Sequence, residues 1–586
     1  MKKENLPVLA YFALLSLIIT LPLFSPGYIL TLDMITVPKT SWPSIWQPDF
    51  FISLINQLFN LILPSYWFHK IILFLIFFLS GISMAGLAGV KNIFIKLFAG
   101  TLYSVNPFVY ERVMAGHWYF LLAYALFPWV IMATTGLFSK PGFVSAIKLA
   151  LLATLIFNLF VHFTVIFAVF FVVYGILFLI FNSRNLNSKL FYNLGLSLLF
   201  VLILNLNWLI PVLIGKSFIT NSLRSFSRQD LLAFQSVADP QYGLIFNLLS
   251  GFGFWEEVYD YFISLKLVIP FWPVLSLLIL AIFILGLLHL LTKERNREIL
   301  PLKITLVIIF ILALDFAGGI ALKPFRNTVV SLYDKFPVLY GFREPQKLIS
   351  LVILGYAFFG AYGLEWLISL SKNKVFRLGL PLFFVVLPFV YTPLVFGSFR
   401  GQLKPVFYPD SWQKVNQLLT GDKDDFLVLF FPWHQYLRFN FSNNLVIANP
   451  APYFFEKKVL SARNYETAPL YSHDDRPEAL HIEGLLSIRE KGYNLMGQPV
   501  DYQVDWGADL SPIGIKYIIL AKDSDWKKYL FLESSDAISK IYEDGQIILY
   551  KNLSFGLADI RQDSSGQNLD GFPELSSPSA TVIRID

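Results

Sequence analysis

The sequence contains no cysteine. Disulfides, thiolate nucleophiles and cysteine-ligated metals are excluded, so any domain in an oxidising compartment must be held by its core alone. Histidine is scarce too: the seven present are scattered, with no HExxH motif and no close pair. No internal repeat is visible. No small-x-small cleavage site follows the apolar run 6–24, which Met1, Lys2 and Lys3 precede. That run is expected to be an uncleaved signal anchor. Charge is also thin in the first two thirds of the chain. Before Gly401 there are 28 basic against 15 acidic residues, a formal +13; from there on there are 18 against 25, a formal −7. The basic excess thus accompanies the apolar runs, as in the cytoplasmic loops of membrane proteins, and does not point to nucleic acid.

What the chain does have is hydrophobic length. It is 56% hydrophobic, above the usual range of soluble domains. Crossing a bilayer takes roughly 20 apolar residues. Runs at 6–24, 66–87, 93–105, 119–138, 143–160, 161–181, 190–214, 267–291, 304–322, 348–370 and 375–396 predict a polytopic α-helical membrane protein with about eleven spans. The third is short, and the fifth and sixth are nearly fused. With the N-terminus inside, every short inner connection carries Lys or Arg, from Lys2 and Lys3 through Lys140, Arg184 and Arg295 to Lys372 and Arg377, as the positive-inside rule requires. The third long outer loop, also basic, runs against that pattern. On this topology the chain is integral to the cytoplasmic membrane, and everything after residue 396 is extracytoplasmic. Most acids of the first part, including Asp33, Glu111, Glu256, Glu257 and Glu344, then lie outside, while Glu4, Glu294 and Glu298 lie inside. Acids contribute little to orientation, so their asymmetry suggests chemistry or binding at the outer surface.

The expected organisation is a transmembrane domain, 1–400, a small α/β domain, 401–558, and a polar tail, 559–586. An apolar stretch at 50–63, bounded by Pro48 and Pro64, is too short to span and predicts an interfacial helix. In the second domain, strands are expected at 426–431, 515–520 and 546–550, and helices at 411–419 and 479–489.

Three segments carry candidate chemistry. Asp33 follows the first span, where a carboxylate at the interface either accepts a proton from a hydroxyl or serves as a solvated loop acid or helix cap. The segment from Asn106 to Trp118 packs Glu111, Arg112, His117 and Trp118 into one outer connection. Arg112 suits a phosphate, and Glu111 or His117 could orient a sugar or share a proton; an aromatic belt with a Glu–Arg pair is the bland alternative. The third segment, Gly341 to Lys347, brings Arg343, Glu344 and Lys347 to the start of the tenth span, at the depth of a lipid phosphate. Asp315 lies within the ninth span, where acids are costly. Trp433, His434 and Asp505–Gly507 could stack on carbohydrate, or belong to the core or surface of the second domain.

Together, the polytopic plan, the Asn106–Trp118 segment, Phe342–Pro345 with Lys347, and the 514–520 and 544–550 stretches resemble the GT-C superfamily of membrane glycosyltransferases. Within it they resemble YfhO-type and arabinofuranosyltransferase-like proteins of bacteria and archaea. The resemblance implies inverting transfer of a sugar from a polyprenyl-phosphate donor to a cell-surface glycan or glycolipid acceptor. It implies Asp33 as general base, with Glu111 and His117 in the catalytic set. Arg112, Arg343 and Lys347 would bind the donor phosphate, and Trp118 and Glu344 would contact substrate. Partners would be the polyprenyl-phosphate sugar, the acceptor and membrane lipid. No cofactor is implied with certainty, and a divalent metal is compatible with the plan although the sequence shows no metal motif. Two departures stand out. Leu32 and Met34 flank a single acid where several relatives carry two, and the Trp-Trp-Asp of oligosaccharyltransferases is absent, which disfavours N-linked protein glycosylation. The alternative is a non-catalytic lipid or glycan transporter, or a glycan-binding scaffold; a transporter would show paired interrupted helices and inverted repeats.

Overall fold

The computed structural model describes residues 6–556 apart from 40–41, 184–186, 218, 221–222, 224–225, 227, 294–298, 465, 468–469, 472–473 and 475. The flanking charges Lys2, Lys3, Glu4, Arg184, Glu294, Arg295, Arg297 and Glu298, and the polar tail 559–586, lie outside the described residues. The chain forms two compact units. The larger takes in Met1–Tyr408 with two later segments, Gln435–Phe454 and Asn464–His473. The smaller is built from Pro409–His434, Phe455–Arg463 and the chain from Asp474 onward.

In the larger unit, nine helices among the described residues are long and apolar enough to cross a membrane. A tenth candidate is a bent pair, Ser188–Leu204 with Leu206–Leu213, broken by 77°. The helix Phe143–Leu159 is apolar but shorter. Every run expected from the sequence is thus helical, but two of the eleven fall short of a straight, full-length span. The bend occurs at Asn205, whose side-chain amide donates to the carbonyl of Val201 in the preceding turn at 2.7 Å. It also donates to Thr154 Oγ1 at 2.9 Å and accepts from Trp208 Nε1 at 2.8 Å and Asn158 Nδ2 at 3.2 Å. Irregular backbone at membrane depth needs such internal partners.

The span Pro345–Ser369 is 83% buried and His162–Phe181 only 28%, so the former is central and the latter peripheral. Small residues let helices meet closely around the centre. A Cβ on Gly363 would stand 2.1 Å from Ile282 O, and one on Gly286 1.9 Å from Phe359 O. The first helix, Leu6–Thr20, inserts the fully buried Phe12 between Gly81 and Gly100, where added methyls would meet its ring at 2.1 and 2.3 Å. The apolar stretch at 50–63 forms the helix Phe50–Asn60, which has no buried residue. Asp315 is exposed on the helix Leu300–Gly318.

The third run extends beyond its expected end. Helix Ile93–Ser104 breaks at Val105 and restarts as Pro107–Met114. Asn106 caps the second piece by accepting from Val109 N–H at 3.0 Å, while its amide donates to the carbonyls of Leu102 and Tyr103. Proline is suited to the first helical position because its missing N–H is not needed there. Glu111 and Arg112 therefore sit on a helix, not in an open loop.

The smaller unit holds a five-stranded sheet. Among the described residues the strands, in chain order, are Leu427–Phe431 (β1), Tyr436–Arg438 (β2), Val446–Ala448 (β3), Val459–Leu460 (β4), Glu466–Thr467 (β5), Leu470–Tyr471 (β6), Ile515–Ala521 (β7), Ile538–Glu543 (β8) and Ile547–Asn552 (β9). The sheet order is β4-β1-β7-β9-β8, with β1 parallel to β4 and β7 and the β7–β9–β8 part antiparallel. Burial of all seven residues of β7 fits a central strand covered on both faces. The helices Asp410–Gly421 and Pro477–Lys491 stand where expected. Trp433 and Trp506 are core residues here, which takes their rings away from carbohydrate. The hairpin β2–β3 and the pair β5–β6 belong to the larger unit.

Candidate functional site

The site begins with two loops of the larger unit lying edge to edge. Asp33 follows the first helix, and its N–H donates to Ala115 O at 3.0 Å. Gly116 permits this approach. Its φ is +81°, and a Cβ there would lie 2.3 Å from Met34 N and 2.9 Å from Asp33 N. Only glycine combines that backbone conformation with that clearance.

From Asp33 a chain of polar contacts runs inward. Asp33 Oδ2 lies 3.1 Å from His117 Nε2, and His117 Nδ1 lies 3.1 Å from Arg112 Nη1. Arg112 Nη1 also donates to Glu344 Oε2 at 3.3 Å, and Glu344 Oε1 accepts from Lys347 Nζ at 3.2 Å. Arginine can only donate, so His117 Nδ1 must accept and the ring proton sits on Nε2, where it is given to Asp33. Burial pushes the imidazole below its ordinary range, against an upward pull from the Asp33 hydrogen bond, which keeps the ring neutral. The other carboxylate oxygen accepts from Tyr436, whose O–H donates to Asp33 Oδ1 at 2.8 Å.

Exposure falls from Asp33 through His117 to Arg112. The Asp33 side chain is 39% exposed, while that of Arg112 is 1% exposed. The guanidinium lies 3.9 Å from the centre of the Phe254 ring, and among the described residues its Nε and Nη2 have no hydrogen-bond partner. Burial pushes the Glu344 carboxyl up, but the cations Lys347, Arg112 and Arg343 together hold it well below the usual carboxylate range. Arg343 stacks at 3.8 Å over Phe226 and acts electrostatically on Glu344 and Lys347.

The structure therefore brings Asp33, His117, Arg112, Glu344 and Lys347 into one network, with Arg343 beside it. Two sequence candidates make no hydrogen bond within it. Glu111 is buried and interacts electrostatically with Glu257 and Lys266 first and with Arg112 less. There Lys266 pairs with Asp239 at 3.2 Å and Glu257 at 2.7 Å, which ties the 237–266 loop to itself. Trp118 is fully buried, and its indole N–H donates to Val113 O at 2.9 Å, so its ring belongs to the helix packing.

Two residues at the site were not singled out from the sequence. Tyr436, on β2, is 403 positions from Asp33, and nothing local marks it. Glu256 stood only among the outer-loop acids. It is 2% exposed, both carboxyl oxygens lack hydrogen-bond partners among the described residues, and it interacts electrostatically with Asp33, Arg112, Glu344 and Glu111. Burial, then the Asp33 charge, push its carboxyl well above the usual range, against a pull from Arg112. Glu256 is thus a neutral acid beside the network. Among the described residues no three His, Asp or Glu side chains are grouped as a metal cage.

No family model matches the chain, and no curated protein matches it in sequence. Solved structures do. The arabinofuranosyltransferase AftD from Mycobacteria superposes with a TM-score of 0.58 at 14% identity, over 93% of this chain and 40% of that one. A mutant form of the same enzyme gives 0.59 at 13% identity, over 93% and 41%. The chain spans about two fifths of the length of these arabinofuranosyltransferases. Its fold is GT-C-like.

Proposed function

We propose that the protein is an inverting glycosyltransferase that moves a sugar from a polyprenyl-phosphate donor to a glycan or glycolipid acceptor at the outer membrane surface. The observation that carries this reading is an accessible carboxylate, Asp33, joined by a neutral histidine to buried cations. The acceptor hydroxyl would give its proton to Asp33 as its oxygen bonds to the anomeric carbon. The bond from that carbon to the phosphate oxygen would break, and its electron pair would leave on the lipid phosphate. Direct displacement inverts the anomeric centre. Lipid phosphate is already an acceptable leaving group, so the site needs mainly positioning and charge stabilisation. Arg112, Arg343 and Lys347 would supply the positive field. Glu344 holds Arg112 and Lys347 together and offsets part of their charge. His117, donating from Nε2, would keep Asp33 oriented.

The AftD likeness makes arabinofuranose the first donor sugar to try. The test is transfer of radiolabelled sugar from polyprenyl-phosphate arabinofuranose, and from hexose donors on the same lipid, into membrane glycan. Labelled glycan made by membranes with the wild-type protein and not by membranes without it supports the reading. Labelled donor crossing the membrane without sugar transfer would establish the transporter alternative instead.

A further inference from the structure

The hairpin β2–β3 reaches the Asp33 loop at two points. Ala448 N–H donates to Leu32 O at 2.7 Å, and Tyr436 O–H donates to Asp33 Oδ1 at 2.8 Å. The backbone contact fixes the hairpin next to the acid, so the phenol is held at the carboxylate and does not meet it by chance rotation. Arg438, two residues along the strand, adds a contact to Asp260 O at 3.2 Å and another to Asn444 O at 3.0 Å. Tyr436 itself packs against a small core that includes Leu32 and Ala115, the neighbours of Asp33 and Gly116 in the two loops.

Asp33 is consequently gripped on both oxygens: Nε2–H of His117 on Oδ2 and the phenol on Oδ1. A carboxylate on a two-torsion side chain would otherwise swing among several directions. Two donors on opposite oxygens fix its plane, and each oxygen retains a further lone pair. A base oriented before the acceptor arrives removes orientational cost from the transfer step. We infer that Tyr436 is a positioning residue for Asp33, brought to the site by the β2–β3 hairpin.

This inference rests on the transferase reading, and its test keeps the two apart. Tyr436→Phe keeps the ring in its packing and deletes only the hydroxyl. Two readouts are taken on the full-length protein. The first is kcat and donor KM for polyprenyl-phosphate arabinofuranose or whichever donor in the panel is active. The second, independent of any transfer, is the rate at which a water-soluble carbodiimide with a labelled amine modifies Asp33, followed by mass spectrometry of its peptide. The inference expects kcat to fall about tenfold with donor KM unchanged, and Asp33 labelling to quicken by a similar factor, the range for a hydrogen bond to a charged group. An unchanged labelling rate would overturn it. Faster labelling with unchanged kcat would also overturn it, because the contact would then not serve the reaction. If the wild-type protein transfers no sugar at all, the transferase reading fails and the labelling rate alone decides whether Tyr436 holds Asp33.

Discussion

His117 and Glu256 titrate in opposite senses beside Asp33, and each leaves a different mark on stability. His117 is buried neutral, with its pKa below the ordinary value. As pH falls below about 6.5 the unfolded ring takes a proton first, so this contribution is complete above that pH and is lost on acidification. Protonation would also put a second N–H against the Arg112 donor and break the relay. Glu256 is buried protonated, with its pKa above the ordinary value. The unfolded carboxyl ionises from about pH 4.3 upward while the folded one does not, so stability falls as pH rises through that window. Glu256→Gln, which keeps the shape and removes the titration, should therefore raise Tm at pH 8, with the gain shrinking towards pH 5. Thermal unfolding of both proteins at the two pH values checks this; an equal gain at both would mean that Glu256 does not titrate as the structure requires. His117→Ala should lower kcat about tenfold or more, the size of a lost hydrogen bond to a charged group, while sparing the helix bundle. Unaltered turnover in that variant would mean that His117 does not orient Asp33 for the reaction.

At the scale of elements, glycine decides how closely the pieces approach. The Phe12 slot between Gly81 and Gly100 anchors the first helix, and Asp33 lies in the loop that follows it. Gly81→Leu would overfill the slot, costing about 1–3 kcal/mol or more, and should lower Tm together with transfer. Gly116→Ala should act differently. A methyl at φ +81° would strike Met34 N and Asp33 N, pushing the two loops apart without touching the bundle. The expected result is loss of transfer by tenfold or more with Tm lowered only by the local strain of about 1–3 kcal/mol. Transfer and thermal unfolding measured on the same preparations separate the two outcomes. Asn106→Ala removes the cap of helix Pro107–Met114 and should cost about 1 kcal/mol, visible as a modest drop in Tm.

Over the whole molecule, the membrane helices were legible because hydrophobic length is a local property. Each of the eleven runs proved helical, and β1, β7 and β9 fell within about two residues of the apolar stretches that predicted them. The exceptions have local causes. Asn106 followed by proline marked an end but not the restart as a capped helix, and Asn205 bent a run that reads as continuous. The site was only partly legible. Asp33, Arg112, His117, Glu344 and Lys347 stand out as charges beside apolar runs, and the structure joins them. Glu111 and Arg112 are adjacent in sequence, and which of them meets the network depends on helix rotation fixed by tertiary packing. Tyr436 could not be found at all, since a tyrosine in a short strand looks the same wherever the strand docks, and β2–β3 joins the larger unit from within the second domain's sequence. The organisation around one acid makes the account easy to contradict. Asp33→Asn keeps the size of the side chain, but its single oxygen can accept from only one of Tyr436 and His117, and it cannot take up a proton as a base. Measured in membranes at equal expression with the active labelled donor, the account predicts wild-type transfer and a loss of about a hundredfold or more in the variant; equal transfer by both would contradict it.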